Sequence, residues 1–110
     1  MVYIKDYKDI YCTQGDYVSI RCQILEPDDT PYVPQLGDRV VFRLAKTFDA
    51  NKILEKNLIG NSQLQLLPVE TNNLPFGEYV YDIRLQNGAL YNDTFICEGK
   101  FTVGRGLNNG

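Results

Sequence analysis

Between Tyr79 and Val103 the side chains alternate with a period of two, and no other feature of the chain constrains its fold as tightly. Tyr79, Tyr81, Ile83 and Leu85 share one face, while Val80, Asp82, Arg84 and Gln86 share the other. A half-buried strand carries that pattern because successive side chains point to opposite faces. Asn87-Gly88 follows, and both residue types accept the positive φ of a type I′ turn, so a tight hairpin is expected there. On the returning strand Phe95, Cys97, Phe101 and Val103 are expected inward. Thr94, Ile96, Glu98, Lys100 and Thr102 are expected outward. Gly99 falls on the inward row, where a missing side chain permits a bulge or a close backbone approach.

Shorter runs upstream alternate too. Asp16 to Leu25 reads as a strand with Val18, Ile20, Cys22 and Ile24 inward, and Asp38 to Lys46 as another with Val40, Phe42 and Leu44 inward. Ile53 to Ile59 and Ser62 to Leu67 follow, separated by a Gly60-Asn61 turn. Glu26 to Gly37 holds Pro27, Pro31 and Pro34, which remove donors and fix φ, so it connects strands as a loop. Pro68 to Asn73 is expected to form a single helical turn. Residues 1–9 are expected as an edge strand or an ordered arm. About seven short strands punctuated by turn signals imply an all-β fold, an immunoglobulin-like antiparallel two-sheet sandwich; a small, partly open barrel is the alternative. The expected domain spans residues 1–104, with 105–110 as a flexible tail. Leu74, Gly77 and Tyr79 have the spacing of a tyrosine corner, in which the hydroxyl bonds to upstream backbone, here between Val69 and Leu74. The simpler alternative is a core tyrosine with some other partner.

Chemistry is sparse. The 110 residues include no histidine, which removes the usual general base and the Ser-His and Cys-His pairs. No catalytic residues, metal ligands or cofactor are expected, and the chain is read as a non-enzyme. Asp28-Asp29 with Asp38 suggests calcium, but falls far short of a full set of oxygen ligands and is better read as a solvated turn. Glu55-Lys56 and Glu98-x-Lys100 are read as exposed strand faces. Asn92-Asp93-Thr94 fits the N-glycosylation pattern but, with no signal peptide, is read as coincidence, and Gly104-Arg105-Gly106 is too short for a phosphate loop. Cys12, Cys22 and Cys97 lack zinc spacing. Buried free thiols are expected, with a Cys22–Cys97 disulfide as the alternative. A net charge of −3 and scattered basic residues argue against nucleic acid as a partner, and no apolar run is long enough to span a membrane. The N-terminus lacks the apolar core of a signal peptide, so assembly in the cytoplasm is expected. Tyr3, Tyr7, Tyr11 and Tyr17 crowd the N-terminal segment and Tyr32 lies in the proline loop. Tyrosine's apolar body and polar tip make these candidates for a protein contact surface.

Three stretches together have a familiar order. Gln14-Gly15-Asp16 opens a core strand, Gly77-Glu78-Tyr79-Val80-Tyr81-Asp82-Ile83 forms a later one, and Glu98-Gly99-Lys100-Phe101-Thr102-Val103 closes the pattern. Over residues 10–103 this resembles the N-terminal β-sandwich domain of phage baseplate upper proteins and related phage and prophage virion modules. Baseplate upper proteins continue into further domains, whereas this sequence stops at Gly110. The resemblance implies a virion location and a structural role in baseplate, tail, neck or head decoration. The implied partners are other phage structural proteins, with a homo-oligomer as an open option. The rival expectation is a small soluble binding module, either carbohydrate-binding or a phage-encoded inhibitor of a host protein.

Overall fold

The alternating runs become strands stacked around one apolar core in the computed structural model, which describes residues 2–4, 9–60 and 62–105. The elements are β1 (Tyr3–Ile4), β2 (Ile10–Thr13), β3 (Val18–Arg21), β4 (Ile24–Leu25), β5 (Arg39–Ala45), β6 (Lys52–Asn57), β7 (Gln63–Leu66), α1 (Pro68–Asn72), β8 (Gly77–Asn87) and β9 (Asn92–Gly104). One five-stranded sheet has the order β2-β9-β8-β5-β6, and two small sheets pair β1 with β4 and β3 with β7. The fold is mostly β and consistent with an all-β sandwich.

The inward rows of β5 and β8 are buried as their periodicity predicts, and Phe42, Tyr81 and Phe101 form the centre. The Phe42 and Tyr81 rings stack with centroids 5.4 Å apart, and Phe42 meets Phe101 at 6.1 Å. Val18, Leu64 and Leu66 on β3 and β7 complete the same core. Such fully buried aromatics each contribute on the order of 3–5 kcal/mol when compared with alanine.

Several expectations need correction. The sheet is not wholly antiparallel: β2 runs parallel to β9, with Ile10 opposite Phe101 and Cys12 opposite Val103. The run Asp16–Leu25 is two strands, broken at Cys22-Gln23, where the Cys22 amide donates to the Ser62 carbonyl. The hairpin does not turn at Asn87-Gly88. Asn87 is extended, with φ −148°, and pairs with Asn92, while Gly88–Leu90 forms a 3-10 turn closed by Tyr91 in the left-handed region, φ 51°. A bulge does occur in β9, but at Ile96. Ile83 faces Cys97 and Arg84 faces Phe95, leaving Ile96 as the extra residue. Ile96 is therefore buried, and Phe95, expected inward, is 41% exposed. Gly99 stays in register opposite Tyr81. A Cβ there would lie 2.8 Å from the Tyr81 ring, so the glycine serves close packing.

The corner forms one residue later than expected. The Tyr79 hydroxyl donates to the Pro75 carbonyl at 2.5 Å. Gly77, with φ 138°, makes the sharp approach to β8 that a side chain would strain. Gln14 Nε2 donates to the Leu74 carbonyl at 2.8 Å, and Thr71 Oγ1 donates to the Asp16 carbonyl at 2.7 Å. Thus the Gln14-Gly15-Asp16 turn and the approach to β8 are joined through α1. The helical turn begins at Pro68, and the Glu70 carboxylate accepts from the Leu67 amide and from Lys56. Lys56 is accordingly an ion-pair partner, not a free surface charge.

Candidate functional site

The sheet geometry places the proline loop, residues 26–38, and the hairpin tip, residues 88–91, at one end of the molecule, because Arg39 lies opposite Gln86. A single buried amide holds these two loops together. Asn87 Nδ2 donates to the Leu36 carbonyl at 3.0 Å and to Asp38 Oδ1 at 2.9 Å. Asn87 Oδ1 accepts from the amides of Ala89 at 3.1 Å and Leu90 at 3.2 Å. These four bonds use the full capacity of an asparagine side chain.

Asp38 is the second anchor. Its Oδ2 accepts from the Tyr32 hydroxyl at 2.6 Å and the Gln35 amide at 2.7 Å. Burial alone would raise this carboxyl, but the hydrogen bonds from Tyr32, Asn87 and Gln35 outweigh it and hold its pKa below the usual value. The same pair, with burial as the larger cause, pushes the Tyr32 hydroxyl up to about 12. The loop is also tied to β4 by the Tyr32 amide, which donates to the Ile24 carbonyl at 3.0 Å, and is closed on itself by the Glu26 amide, which donates to the Thr30 carbonyl at 2.8 Å.

The fixed loops present apolar side chains to solvent. Leu36 is 99% exposed and Tyr91 97%, with Val33 and Leu90 also exposed beside them in sequence. Apolar residues exposed singly are ordinary, but four on two loops locked to one another are a candidate contact surface. Tyr91 also occupies a left-handed conformation, which costs a non-glycine residue about 1–2 kcal/mol.

Other predicted candidates are dispersed. Asp28 accepts from the amide and hydroxyl of Thr30, Asp29 sits at φ 68°, and Asp38 faces Tyr32 and Asn87, so the three carboxylates do not converge. Among the described residues no group of three or more potential ligands is placed to hold a metal. Tyr11 and Tyr17 are exposed, and the Tyr17 hydroxyl accepts from Gln65, whereas Tyr32 belongs to the proline loop. Tyr7 lies outside the described residues, as do Asn61, the side chain of Asn92 and the tail beyond Arg105. Arg105 itself lies over the Phe76 ring at 4.6 Å.

All three cysteines are buried and free. Burial raises the thiol pKa of Cys12 and Cys22, and burial followed by the neighbouring Cys22 pushes Cys97 up to about 12. They are held as unreactive thiols. The outer face of the five-stranded sheet carries a charge ladder: Arg43 grips Asp82 with two bonds of 2.9 and 2.7 Å, and Arg84 reaches Asp82 and Asp93. Its charges are spent on one another, which leaves the loop end as the better contact candidate.

The proline loop, with Tyr32, and the tyrosine-rich N-terminal segment are the contact candidates that the sequence offers; the pairing of that loop with the hairpin tip is not legible in it. The Asn87 side chain bonds to the backbone of both Leu36 and Leu90, across 51 residues for its bond to Leu36. Among the described residues no helix is long and apolar enough to cross a membrane. Comparison with protein-family models, with curated proteins and with solved structures finds no match to this chain.

Proposed function

We propose that this chain is a non-enzymatic, immunoglobulin-like sandwich module that acts by protein–protein contact within a phage or prophage particle. The observation that carries the contact role is the presentation of Leu36 and Tyr91, almost wholly exposed, on two loops locked by the buried Asn87 amide. Locked loops lose little conformational freedom on binding, which is how rigid scaffolds use loops for recognition. Supporting an immunoglobulin-like topology are the β2-β9-β8-β5-β6 order and the Tyr79–Pro75 corner bond. In that architecture the loops at one end of the sandwich are the usual recognition surface.

The particle setting rests on the sequence landmarks Gln14-Gly15-Asp16, Gly77–Ile83 and Glu98–Val103. Mass spectrometry of particles purified from the strain that encodes this chain tests it. The chain is expected in the particles at a fixed ratio to other structural proteins. Recovery only in the soluble lysate would overturn the particle setting.

A further inference from the structure

The charge around the loop end names the kind of partner it takes. Residues 26–38 contain Glu26, Asp28, Asp29 and Asp38 and no lysine or arginine. Asp93 adds a further carboxylate beyond the hairpin tip. The nearest cation in sequence, Arg39, turns to Gln86 with a bond of 2.6 Å. Asp38 is occupied by its internal bonds, and Asp93 faces Arg84 at 3.3 Å. Glu26, Asp28 and Asp29 lie on the same loop as Val33 and Leu36, which Asn87 joins to Leu90; Asp28 and Asp29 are exposed, Asp28 also accepting from Thr30.

Resting on the contact reading above, we infer that the occupant of this end is a protein surface with an apolar pocket rimmed by lysine or arginine. Two observations select it. Leu36 and Tyr91 are almost wholly exposed and suit insertion into a pocket, where a desolvated aromatic or aliphatic anchor supplies most of the affinity. The carboxylates of the same loop attract a basic rim and raise the association rate, while a second copy docking by the same end would oppose like charges.

The probe is a library of random linear peptides selected on the immobilised domain, with individual peptides then titrated by calorimetry. Enriched peptides are expected to place lysine or arginine next to leucine or aromatic residues. Leu36→Ser or Tyr91→Ser should weaken them by about tenfold or more, since anchors behave so. Asp28→Asn with Asp29→Asn should weaken them severalfold, and the difference from wild type should shrink in high salt. Both positions are exposed, so the variants retain the fold, which a circular dichroism spectrum checks. Peptides lost on Leu36→Ser but indifferent to the aspartate changes overturn the basic partner and leave the contact reading standing. Peptides indifferent to Leu36 and Tyr91, or no enrichment over bare resin, overturn both. A dimer in sedimentation that Leu36→Ser dissociates makes the occupant a second copy and overturns the inference.

Discussion

Asn87 Nδ2 donates to Asp38 Oδ1 at 2.9 Å, joining the end of β8 to the proline loop across 49 residues of sequence. Asn87 is 1% exposed, so its removal leaves two backbone amides, one carbonyl and a carboxylate without their partner. Asn87→Ala is therefore expected to lower stability by about 2–4 kcal/mol in urea unfolding, as loss of a buried, fully satisfied polar group does. Asn87→Asp keeps the shape but sets a second carboxylate against Asp38. Its deficit should be larger at neutral pH than in mild acid, where one carboxyl takes a proton. Equal stability of Asn87→Ala and wild type would mean that the amide does not hold the loops.

The β9 bulge reverses two side chains relative to strict alternation, and that reversal is measurable. Ile96 is 5% exposed and Phe95 41%. Ile96→Ala is expected to cost about 2–4 kcal/mol, and Phe95→Ser less than about 1 kcal/mol, the opposite of what uninterrupted alternation implies. Thermal unfolding of the two variants decides between the registers. The Arg84 guanidinium lies 6.0 Å from the Phe95 ring centre, at the outer limit of a cation–π contact, so it adds little.

These cases mark what the residue pattern could and could not reveal. Periodicity located β5, β8 and most of β9, because one sheet face packs on the core and the other meets solvent. It did not locate the bulge, since Phe95 and Ile96 are both apolar and either fits the inward row. It missed β2 because Ile10–Thr13 is too short to establish a period, and its parallel partner lies some ninety residues away, Ile10 opposite Phe101. Asn87 was legible as a turn residue, but not as the amide that closes two loops. Tertiary partners decide that role, and with it the position of the candidate contact surface.

Gly99 and Tyr81 form a matched pair. A Cβ on residue 99 would meet Cε1 of Tyr81 at 2.8 Å and its hydroxyl at 3.0 Å, and the ring is stacked on Phe42. Gly99→Ala is expected to cost about 1–3 kcal/mol by overpacking. In Tyr81→Leu the obstructing ring is gone, so the same change should cost markedly less. A double-mutant cycle by urea denaturation reads the coupling, expected at about 1 kcal/mol or more. Additive costs would place the strain elsewhere.

The Tyr32–Asp38 bond predicts how the loop end responds to pH at both extremes. The Tyr32 hydroxyl is raised from 10.0 to about 12, by burial first and then by the Asp38 carboxylate. A group with a raised folded pKa contributes stability that is complete below its unfolded value. That contribution is lost between pH 10 and about 12 as the phenol ionises. Asp38 is lowered below 3.8, so its contribution is present above that pH and fades in acid as the carboxyl is protonated. Tyr32→Phe removes the donor from Asp38 and the titrating hydroxyl together. Its melting temperature should fall less steeply than that of wild type between pH 10 and 12, since Tyr79 and Tyr81, also raised by burial, titrate in both proteins. In acid the variant should again lose less, because Asp38 without the phenol starts closer to its ordinary pKa. Parallel curves for the two proteins at both ends would show that this bond does not couple the loop to the rest of the fold.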